Sequence, residues 1–297
     1  MKQLVALDWG TSSLRAARLD AQGGVIEERS LPRGILTVPA GEFPKVFAEA
    51  TAQWPADKDT LFLLSGMVGS RQGWKEAPYC PCPAGFGDIA AALAWVEPGR
   101  IAIVPGMSYE QEGVPDVMRG EETQVFGAMQ LLGITKGLFV LPGTHSKWAH
   151  VSDGRIKSFS TFMTGEFYAL LRQHSILSRT LPPEDGEIDV HAFERGVHYA
   201  MHTGNLMHTA FSVRALALFD KMAAAAMPSY LSGLVIGEEL RSQHLSRIAD
   251  PIVIVAGPGL SKRYELAMQL LDIPAKAVGA EATWRGLWGI AKGLEAA

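Results

Sequence analysis

Cysteine is nearly missing from this chain of 297 residues: two occur, Cys80 and Cys82, inside Tyr-Cys-Pro-Cys-Pro. A single intervening residue strains both a disulfide and a two-thiolate metal clamp, so the pair reads as inert loop thiols. Long apolar runs are missing too. The first, Leu4 to Leu7, is cut by Asp8, too early for a secretory core, and no run approaches the ~20 residues needed to cross a bilayer. There is no basic excess either. Lys+Arg number 27 against 31 Asp+Glu, a formal net charge of −4 without a basic cluster, which argues against an electrostatic nucleic-acid binder. These absences point to a cytoplasmic protein with no membrane or nucleic-acid partner. The length favours about two domains and lets the chain bury roughly three quarters of its unfolded surface.

What the chain has is a repeat. Gly10-Thr11-Ser12-Ser13 and Gly143-Thr144-His145-Ser146 lie 133 positions apart, each directly after a strand-like apolar run, Leu4 to Asp8 and Gly137 to Leu141. A small-residue loop at a strand tip exposes backbone N–H and hydroxyl donors, which suits a phosphate. The context repeats as well. Leu14 to Leu19, a turn at Asp20 to Gly24 and Val25 to Arg29 follow the first loop; Lys147 to Val151, a turn at Ser152 to Gly154 and Ile156 to Ser160 follow the second. Whole supersecondary units are therefore duplicated.

Periodicity extends this plan. The first part reads as a helix near Glu42 to Trp54, a strand at Leu61 to Ser65, a helix near Phe86 to Trp95 and a strand at Ile101 to Val104. In the second part helices are expected around Gly165 to His174 and Ser212 to Ala226, with an apolar segment at Leu234 to Ile236. A buried strand at Pro251 to Ala256 then opens into Gly257-Pro258-Gly259, followed by a helix from Leu260 to Leu271, a strand at Ala275 to Val278 and a helix at Ala282 to Leu294. Both halves are α/β layers. The expected domains are residues 1–130 and 131–297, with the helix at 282–294 a candidate to pack back on the first.

With these motifs in place, the chain resembles the sugar kinases of the actin, Hsp70 and hexokinase superfamily, and among them the 2-dehydro-3-deoxygalactonokinase family. The first phosphate loop corresponds to Leu7 to Ser13, the second to Leu141 to Lys147 and the adenosine loop to Ala256 to Ser261. The narrower likeness rests on Ser65 to Trp74, Tyr79 to Ala84, Arg119 to Gln124 and Pro142 to Trp148. It implies two ribonuclease-H-like lobes with a cleft between them, and phosphorylation by ATP, with Mg²⁺, of the 6-hydroxyl of 2-dehydro-3-deoxy-D-galactonate in galactonate catabolism. A homodimer is left open.

The resemblance places phosphate contacts at Gly10, Thr11, Ser12, Gly143, Thr144, His145, Ser146 and Lys147, and adenosine contacts at Gly257, Gly259 and Ser261. Where other superfamily members carry an aspartate in the second loop, this chain has Leu141, so Mg²⁺ must lean on Asp8 and the nucleotide. Asp8 at a strand end can hold a hydrated Mg²⁺, or simply cap its loop. Arg119-Gly120-Glu121-Glu122 sets two carboxylates where a helix begins, whose N–H groups favour the ionised form. Glu122 is the expected base, by likeness to the Gly-x-Glu-Glu segment of exopolyphosphatases, with Glu121 beside it; complementing the helix dipole is the other role for the pair. A phosphohydrolase of that type is the alternative activity. For the substrate carboxylate the candidates are Arg71, with Trp74 as a wall, and Arg119. His198 and His202 are four apart but lack a third ligand, and read as ordinary helix residues.

Overall fold

The computed structural model describes residues 3–54, 60–243, 245 and 250–296. The chain divides into two compact units, one made of Met1–Phe139, Trp148–Ser160 and Val278–Ala297, the other of Val140–Lys147 and Thr161–Ala277.

The first unit starts with an antiparallel meander of β1 (Leu4–Trp9), β2 (Leu14–Leu19) and β3 (Val25–Leu31), with Leu4 opposite Leu19 and Leu14 opposite Leu31. β1 has neighbours on both sides, because β4 (Leu61–Ser65) joins it in parallel, and its apolar run is buried; β3 is the edge and largely exposed. Between them α1 (Phe43–Thr51) has Pro44 in its first turn and turns Phe43, Val46 and Ala50 onto a core that includes Trp9, Leu64 and Ile103. Trp9 and Phe43 meet at 5.4 Å between ring centroids. Rings of this size bury about 150–250 Å² each, worth about 4–6 kcal/mol before the entropy of ordering.

β5 (Tyr79–Pro81), α2 (Phe86–Ala91), β6 (Ala94–Glu97) and β7 (Ile101–Ile103) follow, and the six-stranded sheet runs β3-β2-β1-β4-β7-β6. The helix expected across 86–95 therefore stops at Ala91. Its last two residues, Ala94 and Trp95, belong to β6 and are taken by antiparallel pairing with β7, which satisfies their backbone in the sheet instead. A hairpin that apolar periodicity did not reveal comes next. β8 (Gly106–Gln111) and β9 (Val114–Met118) pair through Glu112-Gly113, both at positive φ, and β5 completes a small three-stranded sheet. That Glu-Gly turn was the available signal. α3 (Glu121–Leu132) then ends at Gly133 in the left-handed conformation.

The duplication is visible in strand order. β10 (Gly137–Leu141), β11 (Ser146–Ser152) and β12 (Arg155–Phe162) belong to a five-stranded sheet ordered β12-β11-β10-β13-β14, which reproduces β3-β2-β1-β4-β7 strand for strand. In the second unit, α4 (Thr164–His174), α5 (Val190–Thr203), α6 (Leu206–Thr209) and α7 (Ser212–Leu218) precede α8 (Met227–Ser242). The single helix expected from Ser212 to Ala226 is broken, since Asp220 takes φ 51° and Pro228 opens a new helix; Leu234 to Ile236 lie inside α8. β13 (Ile252–Val255), α9 (Pro258–Leu270), β14 (Ala275–Val278) and α10 (Glu281–Ala296) complete the chain.

Each unit has one very close helix pair. A Cβ on Gly127 of α3 would come 1.7 Å from the Ala282 carbonyl oxygen of α10, and one on Gly286 of α10 1.9 Å from that of Thr123. In the second unit a Cβ on Gly196 of α5 would come 2.2 Å from the Tyr230 carbonyl oxygen of α8. Only glycine permits such approach, and any side chain would separate the helices.

Candidate active site

In the first unit the Gly10 loop, the expected first phosphate loop, is a tight turn in which the Gly10 N–H donates to the Ser13 carbonyl at 2.9 Å, leaving Thr11 and Ser12 exposed. Gly34 braces the loop from behind; a Cβ there would lie 2.2 Å from the Thr11 carbonyl oxygen. One residue before Trp9, Asp8 accepts a charged hydrogen bond from its cross-strand neighbour Arg15 at 2.5 Å through Oδ2. Its other oxygen lies towards Gly66, which follows β4 at φ 93°: a Cβ on Gly66 would meet the Trp9 carbonyl oxygen at 2.9 Å and Asp8 Oδ1 at 3.4 Å. Gly120, at φ 106°, presses on the same glycine from the other side, 3.2 Å from its Cα by the same measure. Two residues without side chains thus bring the tip of β1, the end of β4 and the start of α3 together.

The two glutamates that begin α3 have different surroundings. Glu122 is fully buried; it accepts from the Gly120 N–H at 2.7 Å and from the Thr123 hydroxyl at 3.0 Å, and Thr123 in turn meets Ser65 at 3.0 Å. Burial, with the Glu121 charge second, pushes its carboxyl up to about 8, against the lowering by Gly120 and Thr123. The helix terminus does not keep this group ionised, contrary to the sequence-based expectation, because desolvation wins. Glu122, the expected base, is the less accessible of the pair in this conformation. Glu121 is only partly buried, and it accepts from the Arg119 N–H at 2.9 Å.

Arg119 is the more telling of the two candidate cations. Its Nη2 donates to the Ala77 carbonyl at 2.8 Å and its guanidinium lies 4.4 Å from the Tyr79 ring centroid, yet Nε and Nη1 are buried without a hydrogen-bond partner. Gly69 makes room, since a Cβ there would meet Nη1 at 2.9 Å. Arg71 instead is 85% exposed and paired with Glu76 at 3.2 Å, an arrangement worth little. Trp74 packs towards the core, 5.4 Å from Phe47 between centroids. Cys80 and Cys82 are free thiols that burial pushes up, Cys82 to about 12.

The second unit holds the loops expected from the sequence to bind phosphate a second time and adenosine, at Gly143 and at Gly257. Thr144 and His145 are exposed, and His145 Nε2 meets Glu166 of α4 at 2.6 Å. Ser146 and Lys147, expected at the phosphates, are turned inward: the Ser146 hydroxyl donates to Glu239 at 2.8 Å and Lys147 Nζ to the Thr161 hydroxyl at 2.7 Å. The repeat could not show this, because both partners lie outside the loop motif, 14 residues away for Lys147 and 93 for Ser146. Gly257 caps α9, and a Cβ on Gly257 or Gly259 would meet nothing within 4 Å, so the face of this loop is open; the Ser261 hydroxyl closes it by donating to the Ala256 carbonyl at 3.1 Å. A cavity of about 230 Å³ brings the loops together, lined by Gly143 from one, Leu260 beside the other, and Tyr168, Val235, Ile236 and Tyr264. Thr164, Ser232, Asp185 and Arg263 add polar groups to these walls, a mixture that suits a small polar ligand with an apolar face.

The sequence profile of the 2-keto-3-deoxy-galactonokinase family matches residues 8–290. The chain belongs to this family. It is 36% identical over 283 residues to the 2-dehydro-3-deoxygalactonokinase of Escherichia coli strain K12, covering 95% of this chain and 94% of that one. A crystal structure from Sinorhizobium meliloti, described as a protein of the same kinase type, superposes with a TM-score of 0.89 at 36% identity, covering 97% and 98% of the two chains. At the level of fold alone, component A of the Acidaminococcus fermentans (R)-2-hydroxyglutaryl-CoA dehydratase aligns with a TM-score of 0.54 at 13% identity over 99% of both chains. The galactonokinase family membership makes the protein a sugar-acid kinase with the two-lobed α/β fold of the actin-like ATPases.

Sequence reasoning missed three groups at these loops: Gly34 and Gly165 as braces, and Glu239. Gly165 repeats the role of Gly34, for a Cβ on it would lie 2.4 Å from the Gly143 carbonyl oxygen. Glu239 did carry a signal, a charge within the apolar run of α8.

Proposed function

We propose that the chain transfers the γ-phosphoryl group of ATP to the 6-hydroxyl of 2-dehydro-3-deoxy-D-galactonate. Apart from family membership, the observation that carries the acceptor class is Arg119. Its buried Nε and Nη1 are left unbonded, at about 1–3 kcal/mol each; they lie on different edges of the guanidinium, so a substrate carboxylate admitted to the Nη1 edge would satisfy that nitrogen. Glu121, next to it at the start of α3, takes the proton of the acceptor hydroxyl as the new oxygen–phosphorus bond forms and the bond to ADP breaks. Glu122 lies behind Glu121 and keeps the helix start in place. In the second unit the cavity lined by Gly143 and Leu260 receives the nucleoside, and the Gly143–His145 loop offers donors to the phosphates; Thr11 and Ser12 do so in the first.

Among the described residues no group of three or more His, Cys, Asp or Glu is gathered to hold a metal. Mg²⁺ fits nonetheless, since it keeps several waters and asks for one carboxylate besides the nucleotide oxygens. Asp8 would supply that carboxylate through the oxygen not engaged by Arg15. When bound, the ion neutralises charge developing on the phosphate oxygens. No helix among the described residues is long and apolar enough to cross a membrane. A cytoplasmic site, where ATP is made available, is part of this reading.

The test is incubation with Mg·ATP and a panel of aldonic and 2-oxo-3-deoxy acids, following ADP and identifying the product by phosphorus NMR. ADP formation should require 2-dehydro-3-deoxygalactonate. No sugar-acid-dependent ADP would refute the proposal, and phosphate release without any acceptor would favour the hydrolase.

A further inference from the structure

Glu239 is a buried carboxylate that none of the roles above uses. It sits in α8, 3% exposed, just after the apolar stretch Leu234 to Ile236. Three hydroxyls donate to it: Ser146 to Oε1 at 2.8 Å, Tyr264 to Oε2 at 2.7 Å, and Thr164 to Oε2 at very short range. Each comes from a different element. Ser146 ends the second phosphate loop at the start of β11, Thr164 is the first residue of α4, and Tyr264 belongs to α9, the helix that the adenosine loop opens. Burial and the adjoining Glu239 charge push the Tyr264 hydroxyl well above its ordinary value, so it remains a donor.

We infer that Glu239 is the positioning residue of the nucleotide site, a single carboxylate that fixes the second phosphate loop against both the first turn of α4 and the adenosine-loop helix. This rests on the reading that the Gly143–His145 loop holds ATP. The geometry around the loop supports it: the Glu166 N–H donates to the Thr144 carbonyl at 3.0 Å, and Gly165 abuts the Gly143 carbonyl. The loop is therefore seated on α4, and Glu239 joins α4 to the loop's far end through Thr164 and Ser146. Tyr264 also lines the nucleoside cavity, so the same carboxylate orients one of its walls. The first loop has no such device, for Ser13, the counterpart of Ser146, is exposed. A group that acts by holding donors in register shows its effect on the ligand those donors bind.

The experiment is steady-state kinetics of Glu239→Gln, Glu239→Ala and Ser146→Ala at 25 °C, with ATP and sugar acid each varied at saturating partner, together with the melting shift induced by Mg·ATP. Glutamine keeps the shape and one acceptor, so we expect roughly a 10-fold rise in KM for ATP; alanine leaves three hydroxyls unserved and should raise it about 100-fold, with the sugar-acid KM within twofold in both. The Mg·ATP-induced melting shift should shrink in the same order. A lower melting temperature with unchanged KM for ATP overturns the inference, because that is the mark of a merely structural carboxylate. Thr144→Ala separates the two layers of the argument. If it raises the KM for ATP while Glu239→Gln does not, the positioning role is wrong and the loop assignment stands; if neither moves it, the loop assignment fails and takes the inference with it. Should Glu239→Ala not fold, Ser146→Ala decides, a several-fold higher KM for ATP supporting the role and an unchanged one overturning it.

Discussion

Glu122→Gln should make the first unit more stable relative to wild type as the pH rises. The carboxyl is fully buried and raised from 4.5 to about 8. A raised acid pKa means the folded state holds its proton more tightly than the unfolded chain, so the stability this group lends is complete below about pH 4.5 and is lost as the pH climbs towards 8. The slope is about 1.4 kcal/mol per pH unit, which accumulates to about 4–5 kcal/mol across that window. Glutamine copies the protonated acid in shape, accepting from the Gly120 N–H and facing the Thr123 hydroxyl, and it does not titrate. The difference in unfolding free energy between variant and wild type should therefore grow from near zero at pH 5 and level off above pH 8. Urea unfolding followed by tryptophan fluorescence reads this directly, because all seven tryptophans, Trp9, Trp54, Trp74, Trp95, Trp148, Trp284 and Trp288, belong to the unit that contains Glu122. A difference that stays flat from pH 5.5 to 8.5, or shrinks, would refute the reasoning.

The other expectations concern turnover. Glu121→Gln should lower kcat by roughly 10²- to 10⁴-fold with the KM for ATP nearly unchanged, and a near-normal kcat would remove Glu121 from proton transfer. Arg119→Ala should raise the sugar-acid KM by roughly 10- to 150-fold, as expected for losing a charged hydrogen bond of about 1.5–3 kcal/mol, whereas Arg71→Ala should change it little; the reverse ranking moves the carboxylate to the Gly69–Trp74 loop. Asp8→Asn should collapse activity and raise the Mg²⁺ requirement in a Mg²⁺ titration of initial rate, while normal rates at low Mg²⁺ would leave Asp8 only as the partner of Arg15.

Much of the architecture was legible because its signals are local. The apolar runs Leu4 to Leu7 and Leu61 to Leu64 form strands as expected, and the repeated loop with its two following strands indicated the duplicated sheet order. Element ends were harder to read. Phe86, Ile89, Ala90 and Leu93 have helical spacing, but whether the chain continues as helix past Ala91 depends on β7 waiting at a sheet edge. The site was legible in its residue types and not in their accessibility. Glu121 and Glu122 are indistinguishable as letters, yet helix geometry turns one inward and leaves the other partly open. Ser146 and Lys147 repeat a phosphate-loop pattern, and only distant Glu239 and Thr161 reveal that their side chains are already engaged. Arg71 sat in the more suggestive loop, while Arg119 has the unsatisfied donors, a distinction of burial that composition cannot carry.

The last helix has a consequence for biosynthesis. α10 packs on α3 through Gly127 and Gly286, and it also closes over the opening meander: Arg15 of β2 reaches Thr283, 268 residues away in the chain, and stacks 5.3 Å from the Trp284 ring centroid, while the Trp284 indole N–H donates to Glu28 at 3.2 Å. Strands β1 to β3 must therefore wait, through translation of every element up to α10, for the segment that finishes their own unit. Meanwhile the intervening residues from Thr161 to Ala277 can collapse by themselves, since their contacts are mostly internal. The order of completion would then run opposite to the order of synthesis, with the second unit folding before the first is closed. Chains stalled before α10 should leave the Thr123 and Gly127 face of α3 uncovered, and chaperone capture should concentrate on the first unit rather than on the part most recently made.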